Sequence, residues 1–385
     1  MKHYLPLSEL CVINMGQSPD STSYNTEKRG LPFFQGNADF GKISPHVRIW
    51  CDAPTKIAHA GDLLLSVRAP IGALNIADSD CCIGRGLAAM TCIDKKCDQR
   101  WLFFALQSKV AELQSKGTGS TFKAISKKTL FDTLLPDYPI AEQREIARNL
   151  DSLTRMIFIR EKQMEKLIQL ASSRFIEMFG DPIENSKGWT TRKLSEITEK
   201  IGSGATPKGG KESYLSSGIT LIRSMNVYNG RFEYKDLAHI TEEQAKQLDN
   251  VQVMPYDVFI NITGASVARS CIVPDDVLPA RVNQHVSIIR CKQNVCHPIF
   301  ANSLFVSPAY QRLLLNLGES GGATRQAITK QQLESLGIIL PPLSLQNKFA
   351  SFIEQLDKSK VIAEKWKKRL LFLCLTRILH YGMVG

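Results

Sequence analysis

Nowhere does the sequence hold the roughly 18 unbroken apolar residues that a membrane-spanning helix requires. Its opening, Met1-Lys2-His3-Tyr4-Leu5-Pro6, has neither the apolar core nor the small-residue cleavage site of a secretory signal. A cytoplasmic chain with no membrane partner is the expectation. Signatures of catalysis are equally scarce. There is no Asn/Asp-Pro-Pro-Tyr/Phe turn of the kind that grips a flipped adenine, and Asp181-Pro182-Ile183 only echoes it. Gly204-Ala205-Thr206-Pro207-Lys208-Gly209-Gly210-Lys211 invites comparison with a phosphate-binding loop, but Gly210 takes the lysine position and Glu212 stands where Ser or Thr belongs. No nuclease-like carboxylate cluster has a lysine beside it, and the seven histidines include no His-Glu-x-x-His pair. No catalytic residue, metal site or resident cofactor is expected.

What is present begins with length. The 385 residues suit two domains, each able to bury a core, and 43% hydrophobic with 22% charged residues is a globular composition. Lys and Arg total 48 against 37 Asp and Glu, a net charge of +11 that attracts polyanions, nucleic acid first. The ten cysteines are scattered and read as small buried hydrophobes. Cys92 and Cys97 share the spacing of Cys291 and Cys296, with His297 adjacent. Such pairs suggest either a metal site, for which a second close pair is wanting, or the same strand end in a duplicated fold.

Duplication is visible elsewhere. Leu7-Ser8-Glu9 recurs as Leu194-Ser195-Glu196, each before a Gly/Ser/Pro segment. Gly61-Asp62-Leu63-Leu64-Leu65-Ser66-Val67-Arg68 matches Tyr256-Asp257-Val258-Phe259-Ile260-Asn261-Ile262-Thr263, each a turn into an apolar strand. Gly119-Ser120-Thr121-Phe122-Lys123-Ala124-Ile125-Ser126-Lys127 returns as Gly322-Ala323-Thr324-Arg325-Gln326-Ala327-Ile328-Thr329-Lys330. Both copies run on to proline, at Pro136 and Pro139 and at Pro341-Pro342, and Gln143 and Gln346 follow where a helix begins.

Each of those helices carries a heptad-like stripe. The first runs through Ile146, Leu150, Leu153, Ile157, Met164, Leu167, Ala171 and Met178, with polar interruptions at Arg160 and Arg174. The second runs through Phe349, Phe352, Leu356, Ala363, Trp366, Leu370 and Leu373, broken at Ser359. Pairing of the two stripes is the expectation, with two separate core helices as the alternative. At about 1.5 Å per residue the first helix would extend ~57 Å, long enough to act as a rod between two domains. Lys365, Lys367, Lys368 and Arg369 read either as phosphate contacts or as a solvated face.

The proline-ended segments leading to Glu142-Gln143 and Gln346, and the junction Met178-Phe179-Gly180-Asp181-Pro182 with Asn185-Ser186-Lys187-Gly188-Trp189, resemble the specificity subunits of Type I restriction-modification enzymes. Leu345-Gln346-Asn347 departs from the Glu-Gln usual at that point. The resemblance implies an α/β (α+β) chain with two target-recognition domains, at 1–140 and 181–342, and two antiparallel helices at 141–180 and 343–385 in a pseudo-two-fold arrangement. It also implies a non-catalytic subunit that binds double-stranded DNA and docks two methyltransferase subunits and restriction/translocase subunits. S-adenosylmethionine, ATP and Mg would sit on those partners alone.

Arg, Asn and Gln are the side chains that pair bidentately with purine edges, and small polar loops let backbone approach phosphate. Candidate DNA contacts are Gln35, Asn37, Arg68, Arg85, Lys116, Thr118, Ser120, Thr121 and Lys123 in the first half. In the second half they are Arg223, Asn226, Asn283, Gln284, His285, Thr324, Arg325 and Gln326. For each, the competing reading is a side chain that satisfies nearby backbone or an ordinary surface loop. Because the scaffold repeats while these residues differ, a bipartite, asymmetric target is expected, with half-sites about one turn, roughly 34 Å, apart. Two rival readings are the recognition region of a fused restriction-methylation enzyme and a helix-pairing structural protein that never touches DNA. The start at Met1 and the end in the second helix fit a whole subunit better than a fragment.

Overall fold

The computed structural model describes residues 3–119, 123–207, 209–319 and 326–380. Two compact units form, one from residues up to 161 with those from 364 on, the other from 162–363. In the first, Tyr4–Pro6 pairs antiparallel with Leu134–Pro136, and in the second Thr191–Lys193 pairs with Gly337–Ile339. A strand at the start of each half is thus clasped by the strand that leads into its long helix. Leu7–Leu10 and Leu194–Ile197 follow as single helical turns with their end residues buried.

Apolar runs become central strands covered on both faces. The first unit holds a four-stranded antiparallel sheet in the order Cys11–Met15, Leu87–Cys92, Leu63–Ser66, Leu74–Ile76. Leu63 and Leu65 face Trp101 and Phe104 of the helix Gln99–Ser108, while Leu64 faces Phe34 and Ile83 of a second sheet. A strand buried on both sides reads as a continuous apolar run because neither face meets water. Each of these three leucines is fully buried, a gross gain of roughly 1.5–3 kcal/mol apiece before chain entropy is counted. The second unit repeats the plan with Thr198–Ser203, Val286–Cys291, Val258–Asn261 and Ser270–Ile272. Its Val258 and Ile260 face Phe300, and Phe259 faces Leu221 and Ile222.

The outer sheet of each unit contains one parallel pair, Leu31–Phe34 with Cys81–Ile83 and Ile219–Ile222 with Ala280–Val282. The remaining pairs there are antiparallel, so the class is mixed α+β, as the resemblance implied. Cys92 and Cys291 each close the strand that pairs with the first strand of the main sheet, the duplicated strand end that their spacing suggested.

The long helices are Ile140–Phe179 and Leu343–His380. Each starts directly after proline, whose fixed φ and missing N–H suit a first turn. Gln143 and Gln346 are fully buried at those starts and act as latches. The Gln143 side-chain oxygen accepts from the Asp98 N–H at 2.8 Å, and its amide donates to the Lys96 and Tyr138 carbonyls at 2.8 Å each. Gln346 accepts from the His297 N–H at 2.8 Å and donates to the carbonyls of Val295 at 3.3 Å and Pro341 at 2.8 Å.

Within each unit a stretch of one long helix packs antiparallel on a stretch of the other. In the first, Lys367 Nζ lies 3.2 Å from Glu161, and Cys374 packs on the core containing Ile146 and Leu150. In the second, the Arg174 guanidinium covers the Phe352 ring, and Phe175 and Phe179 meet Phe349 edge-on. Along the first helix the less exposed positions include Ile146, Leu150, Leu153, Ile157, Arg160, Met164 and Leu167, so arginine occupies the stripe instead of ending it.

The stripe on the second helix needs correction. Burial repeats through Phe349, Ile353, Leu356, Lys360, Ala363, Lys367 and Leu370, while Trp366 is 46% exposed. Trp366 precedes a stripe position by one residue, about 100° around the helix. The stripe is carried past Lys360 and Lys367 by aliphatic stems, with their ammonium groups paired to Asp357 and Glu161. Ser359, taken as the break, lies off the stripe.

The junction after the first helix is closed by its own residues. Gly180 has φ +77°, and its N–H donates to the Ile176 carbonyl at 2.8 Å. The Trp189 indole donates to the Phe179 carbonyl at 2.9 Å, satisfying a terminal carbonyl. Among the described residues no helix is long and apolar enough to cross a membrane.

Candidate nucleic-acid interface

At one edge of the first unit, chain segments are laced side by side by backbone hydrogen bonds. The Gly84 N–H donates to the Phe34 carbonyl at 2.8 Å, so Gln35 leaves its strand beside Gly84-Arg85-Gly86. The Val67 N–H donates to the Gly86 carbonyl at 2.9 Å. The Ile125 N–H donates to Val67 at 3.0 Å and the Ala69 N–H to Lys123 at 2.9 Å, which sets Arg68 opposite Ala124. Thr118 exchanges both backbone bonds with Ala124. The result is a rim bearing Gln35, Arg85, Arg68, Lys123 and Thr118, five of the expected residues, all exposed.

The second unit builds the same lattice from different residues. The Asn283 N–H donates to the Ile222 carbonyl at 3.0 Å and the Ile262 N–H to His285 at 2.9 Å. The Ile328 N–H donates to Ile262 at 2.8 Å and the Gly264 N–H to Gln326 at 2.9 Å, with Thr263 opposite Ala327. Matching bond for bond makes Arg223 the counterpart of Gln35, Gln284 of Arg85, Thr263 of Arg68 and Gln326 of Lys123.

Electrostatics separate the rims. Arg68, Arg85 and Lys123 are exposed, and none forms an ion pair among the described residues. Their counterparts Thr263, Gln284 and Gln326 are neutral. The one cation in that series, Arg223, is held down: its guanidinium donates to the Asp236 carbonyl and stacks 5.2 Å from the Tyr214 ring. Gln284 joins a hydrogen-bonded chain, its oxygen bonded to the Thr206 hydroxyl and its nitrogen 3.3 Å from His285 Nε2, while His285 Nδ1 meets Thr263 Oγ1 at 2.5 Å.

Two candidates are withdrawn by their burial. Asn226 is wholly buried, accepting from the Arg223 N–H at 3.1 Å and donating to the carbonyls of Glu233 and Lys235. Asn283 is 5% exposed, and its side-chain oxygen caps the His285 N–H at 3.0 Å. Both satisfy local backbone, and Asn226 has both of its amide hydrogens taken by carbonyls. Lys116 is exposed but paired with Glu112 at 2.6 Å. Asn37 is half-buried in the turn after Gln35, and Gln326 donates to Glu319 at 3.0 Å. Ser120, Thr121, Thr324 and Arg325 lie outside the described residues. Asp39 went unnoticed in the sequence, although its buried carboxylate takes the N–H groups of Gln35 at 2.8 Å and Gly36 at 3.3 Å and pairs with Arg48. Asn226 does the same work in the other unit, and a polar residue four or five positions after a strand end was the available signal.

Residues 3–169 and 186–371 match the family described as Type I restriction modification DNA specificity domain, two copies in tandem. The chain belongs to that family. It is 42% identical over 155 residues to the Methanocaldococcus jannaschii protein named type I restriction enzyme MjaX specificity subunit, covering 40% of this chain and 36% of that one. To the type I restriction enzyme EcoBI specificity subunit of Escherichia coli it is 25% identical over 290 residues, covering 68% and 60%. The matched regions therefore span less than two thirds of either relative. The crystal structure of the Type-I restriction-modification system S subunit from M. genitalium shares the fold, with a TM-score of 0.64 over 100% of this chain and 96% of that one at 15% identity.

Proposed function

We propose that this member of the specificity family reads DNA sequence and is not itself a catalyst. The observation that carries the reading is one backbone lattice, built twice, that holds two chemically unlike rims. A symmetric reader would repeat the side chains along with the scaffold, whereas Arg68, Arg85 and Lys123 have Thr263, Gln284 and Gln326 as their counterparts. The target is then bipartite and asymmetric, one half-site for each rim. Backbone and small residues fix the register on phosphate, and the exposed Arg, Gln and Lys supply the readout.

Two methyltransferase subunits carrying S-adenosylmethionine, and restriction/translocase subunits using ATP and Mg, are the partners that supply chemistry on this reading. Methylation mapping of host DNA with and without the gene tests it: one bipartite motif should lose its modification when the gene is removed. An unchanged methylation pattern would refute it. The helix-pairing alternative predicts no duplex binding at all, whereas a reader with a cationic rim binds in gel-shift assays with an affinity that falls steeply as salt rises.

A further inference from the structure

We infer that Arg85 and Gln284, counterparts in the two lattices, are specificity-determining residues, Arg85 for a guanine in one half-site and Gln284 for an adenine in the other. The inference deepens the reading proposed above and rests on it.

Arg85 stands between two glycines that leave no room for any other side chain. A Cβ on Gly84 would lie 3.0 Å from the Gln35 Cα, and one on Gly86 would lie 2.4 Å from the Gln35 carbonyl oxygen. The backbone is therefore pressed against the neighbouring strand end, and the Arg85 N–H is tied to Ser18 Oγ at 3.3 Å. What projects from this fixed ledge is one exposed guanidinium without an ion pair among the described residues. A planar fork of donors matches the O6 and N7 acceptors of guanine.

Gln284 occupies the same ledge with different flanks. Its Nε2 donates to His285 Nε2, which must then be the unprotonated nitrogen, so the ring proton sits on Nδ1 and is donated to Thr263 Oγ1. The Thr206 hydroxyl holds the other end of the carboxamide at Oε1. An amide group has two donor hydrogens and two acceptor lone pairs, so one of each remains after these bonds. One donor and one acceptor, already oriented, are what the N7 and N6 groups of adenine require.

The test is selection of bound duplexes from a randomised DNA pool by the full-length chain, its Arg85→Ala variant and its Gln284→Ala variant. Both side chains are exposed, so unchanged melting temperatures are expected and serve as the folding control. Arg85→Ala should relax the preference for guanine at one position of one half-site by about ten- to hundred-fold, and Gln284→Ala should relax an adenine in the other half-site by a similar factor. Arg85→Gln should shift the first position towards adenine. If Arg85→Ala weakens binding to all sequences equally and leaves the motif intact, Arg85 is a phosphate contact and the inference fails while the DNA-reading proposal stands. If the wild-type chain enriches no motif, the proposal fails and takes the inference with it.

Discussion

The two units solve the same local problems, sometimes alike and sometimes not. Each anchors its long helix with a fully buried glutamine whose carboxamide meets one N–H and two carbonyls of the surrounding loops. Each has a buried aspartate before its central strand, yet Asp62 accepts from the Thr91 hydroxyl at 2.6 Å whereas Asp257 forms a two-pronged pair with Arg290 at 2.8 Å. Each caps the helix after its main sheet, through Asp98 in one unit and His297 in the other. Where three backbone groups must be met from one side chain, only a carboxamide of that length serves, and the halves agree. Where a single donor or acceptor suffices, chemistry is free to differ.

The latch offers the sharpest way to break this comparison. Replacing Gln143 or Gln346 with Leu strands three buried backbone groups, and each substitution is expected to cost about 4 kcal/mol in denaturant unfolding. Unequal costs would mean that the glutamines are equivalent in geometry but not in energy. Next in size is the aspartate pair. Arg290→Ala leaves the wholly buried Asp257 without its counter-charge and should cost about 3 kcal/mol, whereas Thr91→Val removes one hydrogen bond to Asp62 and should cost about 1 kcal/mol. Equal losses would show that the ion pair has no special weight in the second unit.

The smallest effect is one of pH. Burial holds the His297 imidazole below its ordinary value of 6.5, with nearby Glu354 opposing, and its Nδ1 must stay unprotonated to accept from the Ile299 N–H at 3.2 Å. The unfolded chain binds that proton more readily than the folded unit does. Stability from this group is therefore complete above pH 6.5 and is lost as pH falls below it. Urea midpoints compared at about pH 7.5 and about pH 5.5 should fall less for His297→Asp than for the parent, because a carboxylate cap carries no such penalty. An identical fall in both proteins would remove His297 as the cause.

Much of this organisation could be read from local pattern. The duplication, the strands after Asp62 and Asp257, and the starts of both long helices after proline all follow from short-range spacing and turn chemistry. The stripe on the second helix was read one residue out at Trp366, because a lysine stem that buries its methylenes is invisible to a count of apolar letters. Asn226 and Asn283 looked like base readers because an asparagine's type does not reveal whether its amide faces solvent or caps a turn.

Period and order along the chain, then, were enough to give two like halves, their helices and a basic, polar set of candidate readers. Folding sorted that set. Which polar side chains remain free depends on the backbone donors and acceptors that each turn folds against them, and Asn226, buried with both amide hydrogens on carbonyls, has no donor left to offer a partner. The match between Arg85 and Gln284 likewise emerges from long-range hydrogen bonds, since their flanking residues share no sequence.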